Sequence, residues 1–282
     1  MTASRLLITG GATGFGKALA LCWATHYQHK GTLKICIADI HQQRGEETVQ
    51  ALEALGADAF FIQCDITDEA DIEATKNAIV DRWQGVDIVI NNAGVATGGS
   101  LNGESLEQWQ WVFNINLFGM VKVTQCMVDV FRQQGHGYFI NVASQAGVTP
   151  IPLMGSYNAV KAAVVSFSET MKTELAPENI DVSVVCPSFF KTNLDESMRT
   201  SEQIMRDSIQ RQFSRAEMTA EQVAEQVWQQ AQKRRFLILT HKSGKTAYLM
   251  KKWLPMDWYL NKIIKATKKM VLKARKGQTH HG

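Results

Sequence analysis

Thr9-Gly-Gly-Ala-Thr-Gly-Phe-Gly16 follows a short apolar run, Arg5-Leu-Leu-Ile-Thr9, and leads into residues 17–27, which have helical composition. A strand, a glycine turn and a helix in that order form a dinucleotide-binding unit. Gly10, Gly14 and Gly16 carry the spacing. A missing side chain lets the turn tighten and lets a phosphate approach the backbone. The helix that starts here offers unpaired N–H groups and the positive end of its dipole to a pyrophosphate. Thr13 and Phe15 belong to the same turn and are counted among its cofactor contacts. A phosphate-loop nucleotidase would need Gly-Lys-Ser or Gly-Lys-Thr at the end of the turn, and neither is present.

Outward from this turn, apolar runs alternate with helical stretches. The runs are Leu33-Lys-Ile-Cys-Ile-Ala38, Ala59-Phe-Phe-Ile62, Val86-Asp-Ile-Val-Ile90, Tyr138-Phe-Ile-Asn-Val142, Ile180-Asp-Val-Ser-Val-Val185 and Phe236-Leu-Ile-Leu239. Helices are expected over about 41–55, 69–83, 105–133, 156–175, 196–213 and 221–233. With the first strand this makes seven strands in an α/β chain. Continuous apolar strands separated by helices predict a parallel sheet covered on both faces. The expected organisation is one domain over 1–241 and a C-terminal helical extension over 242–282.

Bulk properties agree with this reading. The chain has 282 residues, 45% of them hydrophobic, which suffices for a substantial core. Its five cysteines are widely spaced and odd in number, so buried free thiols are expected rather than a disulfide framework. No run reaches the roughly 18 apolar residues of a membrane span. No signal peptide is visible, and a cytoplasmic or cytoplasm-facing protein is expected. The formal net charge of +3 hides an asymmetry. Residues 242–276 hold 11 Lys plus Arg against the single acid Asp257, and the rest of the chain is net acidic.

Asp39 ends the second strand, 23 residues after Gly16. An acid near this spacing accepts from both hydroxyls of an adenosine ribose and repels a 2′-phosphate, which favours NAD over NADP. His41 and Arg44 are close enough to greet a phosphate, so NADP stays open. Ser156-Tyr157-Asn158-Ala-Val-Lys161 sets Tyr157 and Lys161 one helical turn apart on one face. An ammonium there can stabilise a phenolate, and a tyrosine so tuned can act as general acid or base. Ser144 follows the fifth strand and Asn91-Asn92-Ala93-Gly94 the fourth. Both therefore reach the carboxyl edge of the sheet, where ligands gather. Asn116 is a polar candidate in the mostly apolar Val112-Phe-Asn-Ile-Asn-Leu-Phe118.

These elements together resemble the short-chain dehydrogenase/reductase family, in its branch with about 250-residue subunits. The resemblance covers about residues 5–240. It is carried by Thr9-Gly-x-x-x-Gly14-x-Gly16, Asp65, Asn91-Asn-Ala-Gly94, Asn116, Ser144 and Tyr157-x-x-x-Lys161. It implies a Rossmann-type doubly wound parallel sheet, a nicotinamide cofactor and a homodimer or homotetramer. Asp65, with Ile66 beside it, would lie near the adenine. Asn91 to Gly94 would support the sheet edge and the adenosine ribose side, with Asn92, Ala93 and Gly94 as cofactor contacts. Tyr157 would be the general acid/base, and Lys161 would bind nicotinamide-ribose hydroxyls and depress the tyrosine pKa. Ser144 would polarise the substrate oxygen, and Asn116 would hold a water linking Lys161 to solvent. Pro187 and Thr192 would meet the cofactor beyond the sixth strand. Family members usually carry Pro-Gly there, whereas this chain has Pro187-Ser188.

A substrate lid is expected over about 189–213, with apolar surface from Phe189, Phe190, Leu194, Met198, Ile204, Met205 and Ile209. Val148, Ile151, Leu153 and Met154 would face it. No Arg or His cluster marks an anionic substrate, so an apolar alcohol, aldehyde or ketone is expected. In the tail, Trp253, Met256, Leu260, Ile263, Ile264 and Met270 approximate one helical face, with Lys largely elsewhere. Such a segment can rest on an anionic membrane or pack on protein. Nucleic-acid binding and a metal site are not expected. A non-catalytic nucleotide-binding protein and an extended epimerase or dehydratase are the competing readings. The Ser144, Asn116, Tyr157 and Lys161 set opposes the first, and the short chain beyond residue 190 opposes the second.

Overall fold

The structure is a computed structural model describing residues 5–28, 31–191, 196, 198–200, 203–214 and 216–278. Seven strands form one parallel sheet: β1 (Arg5–Thr9), β2 (Lys34–Asp39), β3 (Asp58–Gln63), β4 (Ile88–Asn91), β5 (Gly137–Val142), β6 (Ile180–Val185) and β7 (Leu237–Ile238). Their order is β3-β2-β1-β4-β5-β6-β7. The chain reverses direction across the sheet between β1 and β4, and a crevice opens there at the carboxyl ends of the strands.

The helices are α1 (Gly14–Tyr27), α2 (Gln42–Glu53), α3 (Glu69–Trp83), α4 (Leu106–Phe113), α5 (Met120–Gln134), α6 (Gln145–Val148), α7 (Gly155–Leu175), α8 (Gln203–Ser214), α9 (Ala220–Ala231), α10 (Lys242–Trp253) and α11 (Met256–Gln278). Successive strand side chains point to opposite faces. Leu6, Ile8, Ile35, Ile37, Ile88 and Ile90 therefore enter a core with Trp23 of α1 and Val223 and Val227 of α9. Their neighbours Leu7, Cys36, Val89, Phe139 and Val182 enter the opposite core, with Ile79 of α3 and Met127 and Phe131 of α5. Each such fully buried aliphatic side chain contributes roughly 1.5–3 kcal/mol. This double burial is why the strands read as unbroken apolar runs.

Three expectations need correction. The helix expected over 105–133 is interrupted by a π-helical turn, Asn114–Gly119, between α4 and α5. The chain expected to be helical from about 196 is not helical at 198–200, and α8 is described from Gln203. The tail is two helices, because Pro255 lacks an N–H and α10 ends at Trp253. Trp253 thus sits on a different helix from Met256, Leu260 and Ile264, and all four are exposed. The face that α11 buries runs instead through Tyr259 and Ala274, with Ile263 and Met270 partly covered. Among the described residues, no helix is long and apolar enough to cross a membrane.

Candidate active site

The crevice is a cavity of about 820 Å³. Fifteen of the residues expected to be catalytic or to contact the cofactor line it: Gly10, Thr13, Gly14, Phe15, Gly16, Asp39, Asp65, Ile66, Asn92, Ala93, Gly94, Ser144, Tyr157, Lys161 and Pro187. Thr192 and Leu194 lie outside the described residues, as do the side chains of Ile204, Met205 and Ile209.

The glycine turn is held from three sides. Gly10 has φ +64, which favours glycine, and a Cβ there would press to 2.7 Å from Ala93 Cα. Asn92 Nδ2 donates to the carbonyls of Thr9 and Gly10 at 3.1 and 2.9 Å. Phe15 packs its ring against Phe190, centroids 5.0 Å apart, joining the turn to the segment beyond β6. Helix α1 begins after Thr13 with no side-chain cap and no acid in its first turn. α2, α7 and α10 lack a side-chain cap too, but α1 starts on the glycine turn, whose Gly14, Phe15 and Gly16 line the cavity. The N–H groups of α1 are thus left for an external anion, as a bound pyrophosphate requires. This open helix end, beside the Asp39 carboxylate at the cavity wall, fits a dinucleotide.

Asp39 is nearly buried, 9% exposed. Its Oδ2 accepts from Ala12 N and its Oδ1 from His41 N, each at 3.0 Å. The two bonds fix the carboxylate plane at the end of β2, at the spot expected for a ribose. Asp65 is exposed on the cavity wall, where its Oδ1 accepts from the backbone and hydroxyl of Thr67, both at 2.8 Å. Asn91 faces the core instead, donating to Asn141 Oδ1 at 2.9 Å and so tying β4 to β5.

Tyr157 and Lys161 sit one turn apart on α7, both almost fully buried. Burial pushes the Tyr157 phenol up to about 12, while the Ser144 hydroxyl hydrogen-bonded to it pulls the other way. Burial lowers Lys161 to about 8. The resemblance implied that Lys161 depresses the tyrosine. Burial is the largest influence on the phenol, and the Lys161 ammonium donates to the Val142 carbonyl, 3.1 Å away. Ser144 caps α6, its hydroxyl accepting from Ala146 N at 3.1 Å.

Asn116 does not line the cavity. Its amide clamps the Val95 backbone, Oδ1 accepting from the N–H at 2.8 Å and Nδ2 donating to the carbonyl at 2.9 Å. It lies in the π-helical turn, a distortion that often accompanies functional sites. A Cβ on Gly94 would sit 3.1 Å from Asn116 Oδ1 and 3.6 Å from Lys161 Nζ, so the two flank that glycine.

Beyond β6, Ser188 is not among the described residues with left-handed backbone, so a side chain is tolerated there. Its N–H donates to His241 Nδ1 at 3.2 Å. Burial holds His241 below its ordinary pKa, keeping it neutral and able to accept.

Of the apolar substrate surface expected, Ile151, Met154, Phe189 and Phe190 line the cavity. Val148 and Met198 fill core clusters instead. The sequence reading missed Trp111 at the end of α4 and Asn114 and Ile115 at the start of the π-helical turn, which line the cavity at i, i+3 and i+4. It also missed Glu104, whose Oε1 accepts from Ser156 Oγ at 2.7 Å and whose Oε2 accepts from Ser156 N at 3.0 Å. The helical period signals the first set. Nothing local signals Glu104.

The short chain dehydrogenase family profile matches residues 4–203. A CLA biosynthesis dehydrogenase/reductase of Lactiplantibacillus plantarum is 33% identical over 192 residues, 67% of this chain and 65% of that protein. A 3-oxoacyl-(acyl-carrier-protein) reductase of Synechocystis sp. is 30% identical over 199 residues, 70% of this chain and 78% of that protein. Among solved structures, a short-chain dehydrogenase/reductase from Burkholderia phymatum in complex with NAD superposes with a TM-score of 0.80. It is 29% identical, with 89% of this chain and 93% of that chain covered. The glycine turn, the parallel sheet and the Ser144, Tyr157 and Lys161 group thus have one common explanation: the chain belongs to the short-chain dehydrogenase/reductase family of NAD(P)-dependent oxidoreductases.

Proposed function

We propose that the chain moves a hydride between NAD(H) and an apolar alcohol, aldehyde or ketone. The carrying observation is that Tyr157, Ser144 and Lys161 share one cavity with the open end of α1 and with Asp39. The bound nicotinamide supplies or accepts the hydride. Gly14 and Gly16 leave room for the pyrophosphate, and Asp39 accepts from the adenosine ribose.

In the reductive direction, Ser144 donates a hydrogen bond to the substrate oxygen, where negative charge develops. Tyr157 gives that oxygen its phenolic proton, and the Lys161 charge stabilises the phenolate left behind. Oxidation reverses these steps, with the Tyr157 phenolate taking the alcohol proton. Asn116 holds Val95 and so shapes the cavity wall beside Lys161.

An apolar substrate is favoured by Trp111, Ile115, Ile151, Met154 and Phe189 around the mouth. The Synechocystis relative, a 3-oxoacyl reductase by name, makes a carbonyl on an acyl chain a natural first test. The experiment follows NADH and NADPH absorbance across medium-chain aldehydes, aryl ketones, 3-oxoacyl thioesters and sugars. Turnover of NADH with an apolar carbonyl, reduced about 10²–10⁴-fold by Tyr157→Phe, is expected. Turnover untouched by that substitution would refute the assigned roles.

A further inference from the structure

The tail carries features that the proposed reaction does not use. Residues 242–276 hold a net charge of +10, while the rest of the chain is at −7. α11 buries Tyr259 and Ala274 on the body and runs beside α8. Leu260, Ile264 and Val271 continue that apolar face sideways along the helix, yet they are exposed, Ile264 by 60%. At the elbow between the two helices, Trp253 is 75% exposed and Trp258 is half exposed. Each tryptophan has a lysine over its ring, Lys252 at 5.4 Å and Lys262 at 5.2 Å.

We infer that α10 and α11 dock in the plane of an anionic lipid bilayer. The charge selects the occupant. A surface combining exposed Leu, Ile and Trp with this excess of cations is complementary to an acyl boundary roofed by anionic headgroups. Two tails packed on each other would bring like charges together. Tryptophan favours the headgroup level, and lysine stems reach from the apolar boundary to the phosphates. The helices carry too much charge to span, so they lie flat.

The docking surface is fastened to the substrate side of the cavity. Gln145 Nε2 donates to the Gly244 carbonyl at 3.2 Å, and Lys251 Nζ donates to the Val148 carbonyl at 2.8 Å. Gln145 itself lines the cavity next to Ser144. Docking therefore couples the lipid-bound tail to the cavity wall beside Ser144.

The test is flotation of the full chain with vesicles of phosphatidylcholine alone or with about 30% phosphatidylglycerol. The chain should float with the anionic vesicles and not with the neutral ones, and high salt should release it. Leu260→Glu with Ile264→Glu, and separately Lys265→Glu with Lys268→Glu and Lys269→Glu, should each cut binding at least about tenfold. Both sets lie on exposed positions, so circular dichroism and NADH binding should stay at wild-type values. Wild-type protein that stays off anionic vesicles overturns the proposal. So does a wild-type oligomer, seen by analytical ultracentrifugation, that Leu260→Glu with Ile264→Glu dissociates without changing flotation, because a second copy then covers the stripe. Flotation needs no turnover, so this result and that of the catalytic test are read separately.

Discussion

Arg44 on α2 and Glu196 beyond β6 form an ion pair, Nη1 to Oε2 at 3.0 Å, and both side chains line the cavity beside Asp39. The cation best placed to greet a 2′-phosphate is therefore engaged by a carboxylate from the other side of the crevice. The pair is about half exposed, and such a pair contributes at most about 1 kcal/mol. Glu196→Gln should free Arg44 and raise kcat/KM for NADPH by up to about fivefold, the ratio that about 1 kcal/mol supplies. kcat/KM for NADH should change by less than about twofold. Steady-state kinetics with both cofactors decide it, and an unchanged ratio would remove Arg44 from cofactor choice.

Lys161 sets a pH dependence in both activity and stability. Its pKa is lowered by burial to about 8, so its charge is present below that pH and lost above it. The reductive rate should fall as pH rises through about 8, because the charge that stabilises the Tyr157 phenolate disappears. For stability, the folded pKa lies below the ordinary value of 10.5. The unfolded chain then binds this proton more tightly, so the contribution is favourable above pH 10.5 and is lost as pH falls through about 8. Lys161→Met should therefore be inactive yet more stable at neutral pH, by about 1–3 kcal/mol in urea unfolding.

Glu104 should act on catalysis without touching substrate. Its carboxylate holds Ser156, the residue before Tyr157, at the start of α7, and Thr97 Oγ1 joins the same hydroxyl at 2.7 Å. Glu104→Ala leaves a buried N–H and hydroxyl without that acceptor, a loss of about 1–3 kcal/mol. The expected kinetic signature is a fall in kcat with KM for the cofactor little changed. Glu104→Gln keeps one carbonyl acceptor and should recover part of the loss. Equal losses in kcat for both substitutions, with normal thermal melting, would contradict a positioning role.

Ser188→Gly tests the departure from Pro-Gly. The backbone at Ser188 is not left-handed, and its N–H bond to His241 does not need the side chain. Restoring glycine should bring no gain in cofactor affinity. It should cost up to about 1 kcal/mol of stability through the greater freedom of the unfolded chain. Fluorescence titration of NADH and a melting curve suffice. Markedly tighter binding would show that Ser188 obstructs the nicotinamide side.

Whatever depends on short-range pattern was legible in the residues alone. Apolar runs of strand length marked the seven strands, since a sheet buried on both faces leaves no polar alternation. Gly10, Gly14 and Gly16 marked the nucleotide turn, since backbone conformation and close approach exclude a side chain there. Tyr157 and Lys161 shared a face because helical geometry alone puts them one turn apart. Relationships between distant residues emerge only once the chain is folded. Glu104 meets Ser156 across 52 positions and Arg44 meets Glu196 across 152, and no local period encodes either contact. The tertiary structure also assigned Asn116 to the Val95 backbone and showed which face of α11 the body covers. Helical spacing identified apolar residues on that tail, but whether such a stripe is buried depends on what the rest of the chain brings against it.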